Sequence, residues 1–315
     1  MKRKSMQNKA DEFIRYKRDL GYKYRSQAYE IKSFAQFADI HAPGRPFTVK
    51  MALQWATIPN SSKAYHLSRL NNLSGFAQFL IISDPKTELI PKAILGSGFH
   101  RTTPYIYSSE EVLRLMTTSA YARPRKINTY TFSTIIGLLS CTGLRIGELL
   151  ALNDEDVDWS QKTLIVRGSK KLPMRLVPLH SSAIDHLKQY VKCRDCVFPN
   201  STDDALFLSS RGMRYAYPTI SMAWVHLRLK TGIGKNEKRL PRLHDFRHTF
   251  ACNHLLNAYK ENKNIDTAVH LLSVYLGHGS IKRTYWYLTG VPQLLELISS
   301  RVEKQINSIR KEAST

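Results

Sequence analysis

Residues 275–287 read Tyr-Leu-Gly-His-Gly-Ser-Ile-Lys-Arg-Thr-Tyr-Trp-Tyr, and this stretch decides how the rest of the chain is interpreted. It places His278 nine residues before Tyr287 (287 − 278 = 9). Tyr285 competes with Tyr287 as the functional tyrosine, but the nine-residue step from His278 favours Tyr287. Because a tyrosine near the end of a chain is usually part of a hydrophobic core, the stretch needs support from the rest of the sequence.

A second polar cluster lies about thirty residues upstream, where residues 243–248 read Leu-His-Asp-Phe-Arg-His. His244 and Arg247 are one turn apart and share one face of a predicted helix. His248 lies four residues after His244 and can reach the same face of the helix, and we give it a supporting role. A lone His-x-x-Arg is more often a structural pair than a functional site. This cluster therefore indicates a functional site only in combination with the other polar clusters of the sequence.

A third cluster lies at residues 141–150, which read Cys-Thr-Gly-Leu-Arg-Ile-Gly-Glu-Leu-Leu. Gly143 is expected to make a turn, and Arg145 and Glu148 then share one face of the following helix. Glu148 either orients neighbouring donors or forms a structural salt bridge, and the sequence leaves both interpretations open.

Two short apolar stretches, residues 164–166 and 175–179, predict an antiparallel β-hairpin. The polar turn between them holds Lys170 and Lys171, and counting back from the second strand favours Lys170 as the functional lysine. Pro178 predicts that the second strand lies at an edge. Elsewhere in the chain, apolar residues recur at helical spacing, so the predicted fold class is mainly α with a small antiparallel β-sheet.

The charge balance indicates a polyanionic partner. The chain has 47 Lys+Arg against 25 Asp+Glu, a formal net charge of +22, and a sequence pI near 9.9. Each phosphate that such a surface neutralises releases condensed counterions, so nucleic acid is the favoured partner. Ribosomal and membrane-surface proteins can be as basic, and charge by itself says nothing about chemistry.

The first body, residues 1–82, is predicted to be helical. Its apolar residues recur every three or four positions in four stripes, Met6–Leu20, Ala28–Ala38, Val49–Trp55 and Leu70–Leu80. It contains 14 Lys+Arg and 5 Asp+Glu, a net charge of 14 − 5 = +9. We expect DNA-backbone contacts from this body at Lys17, Arg18, Lys23, Arg25, Lys63 and Arg69.

Prolines and glycines between residues 83 and 108 predict a linker. Residues 109–290 then form a second body, and residues 291–315 an amphipathic C-terminal helix or tail. Within the second body, the acidic residues at 154–158 resemble a cluster of metal ligands, but we expect a solvated loop there.

The remaining sequence signals are plain. Of the four cysteines (Cys141, Cys193, Cys196 and Cys252), the pair at 193 and 196 has metal-like or redox-like spacing but lacks a second pair, so reduced thiols are the better interpretation. No apolar run approaches the roughly 20 residues of a membrane span, and no apolar segment follows the basic start. We expect a cytoplasmic, nucleoid-associated protein with no membrane partner.

In its motifs and their order, the sequence resembles the tyrosine recombinase, or phage integrase, family. These motifs are an arginine at a helix start, a lysine in a hairpin, His-x-x-Arg, and Leu-Gly-His followed by a tyrosine. The resemblance covers residues 108–289, and the basic first body resembles that family's core-binding domain. The wording of residues 275–288 is also similar to recombinases carried by transposons and other mobile elements. The resemblance implies a helical core-binding domain followed by an α/β catalytic domain.

The resemblance also implies a set of roles. Arg145 and Arg247 would hold the non-bridging oxygens of a DNA phosphate, since guanidinium forks bind such oxygens bidentately. The other roles are nucleophile for Tyr287, base for His244, general acid for Lys170, donor to the phosphate for His278 and orienting residue for Glu148. No metal, ATP or other cofactor is implied. The hairpin turn reads Ser-Lys-Lys-Leu-Pro-Met, which departs from the family's usual glycine-rich form.

The implied partners are double-stranded recombination sites, a dimer of this chain on each site, a tetramer in the synapse, and accessory DNA-binding proteins. The tail either packs on its own catalytic domain or docks in a neighbouring protomer. Three other functions compete: a metal-dependent nuclease or transposase, a non-catalytic DNA-binding protein on the same scaffold, and a type IB topoisomerase.

Overall fold

The computed structural model describes residues 5–92, 94–96, 103–121, 127–168 and 174–289, together with residues 299, 303 and 306. The chain divides into two compact units, Met1–Thr102 and Thr103–Thr315. This division falls inside the segment 83–108 that the sequence marks as a linker. The predicted boundaries at 82, 108 and 290 stay predictions, and the tail at 291–315 lies almost wholly outside the described residues.

Four helices that follow the four predicted stripes build the first unit. They are α1 (Met6–Asp19), α2 (Ser26–His41), α3 (Val49–Thr57) and α4 (Lys63–Ser83). Hydroxyl side chains cap three of them: Ser5, Thr48 and Ser62 each accept a hydrogen bond from a backbone N–H in the first turn of α1, α3 and α4. Such caps satisfy donors that the helix itself leaves without partners.

Aromatic rings form the centre of this unit. The ring of Phe34 contacts those of Phe47 and Trp55 at centroid distances of 5.2 and 5.6 Å. Phe76 lies 5.3 Å from Phe13 on the other side. Tilted and edge-on pairs at these distances stabilise a core beyond the burial of their area. Helix α1 ends at Asp19, just before Gly21 (φ +83°), the residue expected to end it, but the last residue of the predicted stripe, Leu20, is 54% exposed and not buried.

The second unit is mostly helical. Its described helices are α5 (Ser109–Tyr121), α6 (Ile127–Thr142), α7 (Ile146–Leu149), α8 (Ser181–Val197), α9 (Tyr217–Thr231), α10 (Asp245–Lys260), α11 (Ile265–Leu276) and α12 (Lys282–Thr289). Helix α6 runs through its middle and packs against α5, α8 and α10. Helix α10 also packs against α11 and α12, so it joins the central helix to the C-terminal pair.

In the described residues, no helix has the length and apolar character needed to cross a membrane.

A three-stranded antiparallel sheet flanks these helices. Its strands are β1 (Val157–Asp158), β2 (Thr163–Val166) and β3 (Arg175–Pro178), in the order β1-β2-β3. Val166 pairs with Arg175 where the hairpin closes, and Pro178 lies on an edge strand as predicted. The hairpin and the predicted fold class, mainly α with a small antiparallel sheet, are confirmed. Strand β1 was not predicted.

The acidic segment 154–158 is not the solvated loop that the sequence suggested. It forms a 3-10 turn (Asp154–Asp156) that continues into β1. The buried guanidinium of Arg194 donates two hydrogen bonds to Asp154, of 2.6 and 2.9 Å, and Arg167 donates one of 2.8 Å to Asp156, which is 2% exposed. Because a buried carboxylate is costly without partners, Arg167 accounts for the burial of Asp156, while the side chains of Asp154 and Glu155 stay 51% and 69% exposed. The four cysteines are free thiols.

Candidate active site

Arg247 lies in the first turn of α10 and is 1% exposed. Its Nη1 donates to the carbonyl oxygen of Gly143 (2.9 Å), and its Nη2 donates to that of Leu276 (2.6 Å). Gly143 (φ +60°) leads to α7, and Leu276 ends α11, so one guanidinium ties together two turns that are far apart in the sequence. Burial and the nearby charge of Arg145 lower the pKa of Arg247 to about 10.

Arg145 and Glu148 pair at the start of α7. Nη1 of Arg145 donates to Glu148 Oε1 (2.7 Å), and the backbone N–H of Arg145 donates to Oε2 (3.0 Å). A second arginine, Arg175 at the start of β3, donates to the same Oε2 (2.8 Å). Burial would raise the pKa of Glu148, but the hydrogen bonds from both arginines outweigh it and hold that pKa below its ordinary value. Glu148 is therefore an anion shared between two cations.

His278 follows the turn after α11. Its Nδ1 lies 2.8 Å from the hydroxyl of Thr284, which is fully buried at the start of α12. Burial and the charges of Arg247 and Arg145 lower the pKa of His278 to about 3. The ring is therefore neutral near pH 7, with one nitrogen held by Thr284.

Tyr287 lies on α12 and is 4% exposed. Its ring is stacked near His278, with centroids 6.1 Å apart, and meets His248 edge-on at 5.4 Å. Burial raises the pKa of the Tyr287 hydroxyl, while the charge of Arg247 and a hydrogen bond from it act in the opposite direction. The phenol is thus protonated at rest and faces a cation that favours its ionised form.

The structure separates the two competing tyrosines. The hydroxyl of Tyr285 donates a hydrogen bond of 2.9 Å to Asp266, at the exposed start of α11. That bond raises the pKa of Tyr285. Only Tyr287 stands with Arg247 and the two histidines, which agrees with the preference drawn from the nine-residue spacing.

His244 and His248 bracket the first turn of α10. Their rings meet edge-on at 4.9 Å. His244 keeps access to solvent, yet the packing around it and the charges of Arg247 and Arg242 lower its pKa. His248 is more enclosed, and burial followed by neighbouring charges lowers its pKa to about 3. Both rings are therefore neutral near pH 7.

Five of the predicted catalytic residues thus lie on neighbouring turns of the second unit: Arg145, His244, Arg247, His278 and Tyr287. The sixth, Lys170, lies outside the described residues, as does its competitor Lys171. Within the described residues, the cluster has an excess of positive charge, because Glu148 is the one carboxylate bonded to Arg145 and Arg175. Such a surface suits a phosphodiester, whose charge grows in a pentacoordinate transition state.

Comparison with known proteins fits this geometry. The phage integrase family profile matches residues 106–292, which is more than half of the chain. The chain belongs to the phage integrase family.

Two curated relatives support the assignment. The protein y4rB of Sinorhizobium fredii, named as an integrase/recombinase, is 34% identical over 302 residues, covering 93% of this chain and 96% of that protein. The tyrosine recombinase XerC of Chlamydia trachomatis is 29% identical over 243 residues, covering 76% of this chain and 68% of its own length. With the family match, these relatives identify a tyrosine-type site-specific recombinase.

Solved structures share its fold. The Tn1549 transposon integrase, in complex with transposon right-end DNA, has a TM-score of 0.68 at 17% identity and covers 96% of this chain and 99% of its own. The XerH site-specific recombinase, bound to palindromic difH substrate, has a TM-score of 0.66 at 18% identity and covers 94% of this chain and 85% of its own. The predicted two-domain recombinase architecture agrees with this likeness.

The first unit of the recombinase presents some of the predicted DNA contacts and buries another. Arg18, Lys23, Arg25 and Lys63 are exposed, and the half-buried Lys17 lies over the rings of Phe13, Tyr16 and Tyr22. Arg69 is buried: its guanidinium lies 3.7 Å from the centroid of the Trp55 ring and 3.5 Å from a Glu30 carboxylate oxygen. We therefore withdraw Arg69 from the predicted DNA contacts, because its charge is already used inside the unit.

The sequence did not identify two residues that shape the site of this recombinase. Arg175 is predicted only as the start of a strand, and no role is predicted for Thr284. A usable signal existed for Arg175, since a charged residue that opens a short apolar edge strand next to a functional hairpin needs a partner. No comparable signal existed for Thr284, whose contact with His278 depends on the turn between α11 and α12.

Proposed function

We propose that this recombinase cleaves and exchanges strands of double-stranded DNA through a covalent 3′-phosphotyrosine formed by Tyr287. The observation that carries the proposal is the position of Tyr287, which is buried against His278 and His248 with the Arg247 guanidinium beside its hydroxyl. A buried phenol next to a fixed cation is poised to ionise when a base accepts its proton.

The reaction would proceed as an in-line exchange at phosphorus. The Tyr287 oxygen forms a bond to phosphorus as the bond to the 5′-oxygen breaks. Its proton passes to the neutral ring of His244, and Lys170 protonates the leaving 5′-oxygen. Arg145 and Arg247 hold the non-bridging oxygens, whose charge increases in the transition state. Each preorganised donor of this kind typically contributes a few kcal/mol.

His278 adds a neutral donor. When the Thr284 hydroxyl donates to Nδ1, the hydrogen of the ring lies on Nε2, which then donates to a non-bridging oxygen. The low pKa of His278 is consistent with this role, because a neutral ring retains one donor nitrogen and one acceptor nitrogen.

The phosphotyrosine conserves the energy of the broken phosphodiester. A 5′-hydroxyl from another strand attacks the phosphorus as its proton passes to Lys170, and Tyr287 leaves as it regains a proton from His244, so exchange needs no ATP. Four strands exchanged in two steps require a dimer on each site and a tetramer in the synapse, with the tail at 291–315 docked in cis or in trans. We place the protein in the cytoplasm on DNA, with accessory DNA-binding proteins as further partners.

The biological setting we propose is integration or excision of a mobile element. It is supported by the relative named as an integrase/recombinase and by the fold shared with a transposon integrase. The wording of residues 275–288 favours the same branch.

Covalent trapping tests the proposal. Full-length protein is incubated in EDTA with nicked duplexes that cover the ends of the DNA element carrying its coding sequence; a nick next to the cleavage position lets a short fragment leave and traps the adduct. We expect wild type and Tyr285→Phe to form a protein–DNA adduct and Tyr287→Phe to form none. Adduct lost only in Tyr285→Phe would refute the nucleophile. Cleavage that requires Mg²⁺ and leaves no adduct with any of the three proteins would establish the metal-dependent nuclease instead.

A further inference from the structure

Arg175 occupies a position that the proposed chemistry does not use. It opens β3, the second strand of the hairpin, and reaches the carboxylate of Glu148 from a distance of 27 residues along the chain. The two oxygens of Glu148 are divided between two arginines: Oε1 accepts from Arg145, and Oε2 accepts from Arg175 and from the backbone N–H of Arg145. Glu148 is therefore fixed from two sides.

The guanidinium of Arg175 lies in a slot next to the turn that carries His278. Its side chain is 11% exposed. Gly277 has φ +62°, and a Cβ added there would lie 3.1 Å from Nη1 and 3.3 Å from Cζ of Arg175. A side chain at this position would push the guanidinium away, so the glycine allows the close approach as well as the left-handed turn.

The buried position of Arg175 also carries a free-energy penalty. Its Nε is buried and has no hydrogen-bond partner in the described part of the chain. A buried donor without a partner is unfavourable, and such groups in folded proteins often mark places where geometry serves function. The charge of Arg175 is also near enough to contribute to the lowered pKa of Arg247 and of His278.

We infer that Arg175 is a positioning residue, which holds the Arg145 guanidinium in its phosphate-binding orientation through the carboxylate of Glu148. The inference rests on the proposed function, since it assigns Arg145 to the phosphate. Without Arg175, Glu148 keeps the bonds from Nη1 and the backbone N–H of Arg145 but loses the bond that ties it to β3. Arg145 then loses the fixed direction on which bidentate binding depends.

An ordinary ion pair on the same sheet supplies the matched control. Arg167 follows β2 and binds the carboxylates of Asp156 and Glu155, neither of which the proposed chemistry uses. Removing its guanidinium breaks a comparable pair, one of whose carboxylates is buried. Arg167→Met should therefore lower stability without changing the chemical step.

The test is a double-mutant cycle on the full-length protein. Wild type, Arg175→Met, Glu148→Gln and the double variant are compared by single-turnover rate of adduct formation on saturating nicked duplex, by Kd for that duplex, and by Tm. We expect Arg175→Met to slow adduct formation about tenfold or more while Kd changes less than about threefold. In the Glu148→Gln background the same change should slow it by less than about threefold, because the pathway through Glu148 is already broken. Arg175→Lys, which keeps the charge and the stem, should recover part of the rate.

Three results would overturn the inference. They are fully multiplicative rate losses in the double variant, an adduct rate for Arg175→Met equal to wild type, and a rate loss matched by Arg167→Met at equal Tm. If Arg175→Met does not fold, Arg175→Lys carries the same cycle. The wild-type adduct and its loss in Tyr287→Phe report on the proposed function, so a failure at Arg175 alone leaves that function standing.

Discussion

Nδ1 of His278 lies 2.8 Å from the hydroxyl oxygen of Thr284, a side chain that is fully buried. This contact fixes which ring nitrogen faces the turn and which faces the site. Because either tautomer of a neutral imidazole is accessible near pH 7, a single hydrogen bond decides whether the other nitrogen donates or accepts.

Replacement of Thr284 by valine should slow adduct formation about three- to tenfold, the rate equivalent of about 0.7–1.4 kcal/mol, which is the usual worth of one hydrogen bond. Valine has nearly the same shape but cannot hold the His278 ring. Single-turnover kinetics on saturating nicked duplex measures the effect. Thr284→Ser keeps the hydroxyl and should stay within about twofold of wild type. Equal losses in both variants would mean that packing, and not the hydrogen bond, matters at this position.

Gly143→Ala should lower the free energy of unfolding by about 2–4 kcal/mol. Gly143 has φ +60°, and a Cβ added there would lie 2.6 Å from a ring carbon of Phe250. The substitution thus combines backbone strain with a clash in a packed region. Gly232 isolates the first effect, since it has φ +68° and nothing within 4 Å of an added Cβ. Gly232→Ala should cost only about 1 kcal/mol, and equal losses at the two positions in urea unfolding would contradict the predicted clash.

Acidification should destabilise the fold through its buried histidines. Burial and neighbouring charges lower the pKa of His248 and His278 to about 3, whereas in the unfolded chain a histidine titrates near 6.5. Between these values the unfolded chain binds protons that the folded chain does not. The contribution of the two neutral histidines to the free energy of unfolding is therefore complete above about pH 6.5. It is lost as pH falls toward about 3, by at most about 1.4 kcal/mol per pH unit for each histidine.

Urea unfolding of wild type and His248→Gln at several pH values between about 7 and 4 measures this slope. Glutamine does not titrate, so His248→Gln should show a shallower loss of stability with falling pH. Parallel curves for the two proteins would show that His248 does not carry the effect.

Salt dependence should identify phosphate contacts in the first unit. Arg18 is exposed, and Arg18→Gln should reduce the slope of log K against log salt by about 0.9 if its charge neutralises one phosphate. Lys32 is the matched control, because its Nζ is already paired with Asp11 at 2.9 Å. Lys32→Gln removes the same charge and should leave the slope unchanged. Equal changes in both variants, measured by titration of the element-end duplex, would indicate a general effect of net charge instead of a contact.

Much of the fold was predictable from local patterns. The apolar stripes of α1 to α4 repeat every three or four residues, and each helix buries most of its stripe, with Leu20 at the end of α1 as an exposed exception. Helical periodicity is a local property, so it survives without knowledge of the neighbours. The 3-10 turn at Asp154–Asp156 was not predicted, because arginine partners from other elements bind its carboxylates.

The sequence by itself determined the family. The order and spacing of Arg145, His244, Arg247, His278 and Tyr287 were sufficient, because proteins that share a fold carry their site residues in the same chain order. The reaction itself needs these side chains only at the right positions in space. Net charge also indicated a nucleic-acid partner, because it depends on composition and not on how the chain packs.

Only the tertiary structure decided which groups meet. Arg247 reaches carbonyl oxygens 104 and 29 residues away, and Arg175 reaches Glu148 across 27 residues. Tertiary packing also buried Arg69 against Trp55 and turned Tyr285 outward to Asp266. Each of these contacts depends on how helices and turns pack, and a residue's own sequence neighbourhood carries no sign of a partner that arrives from another element.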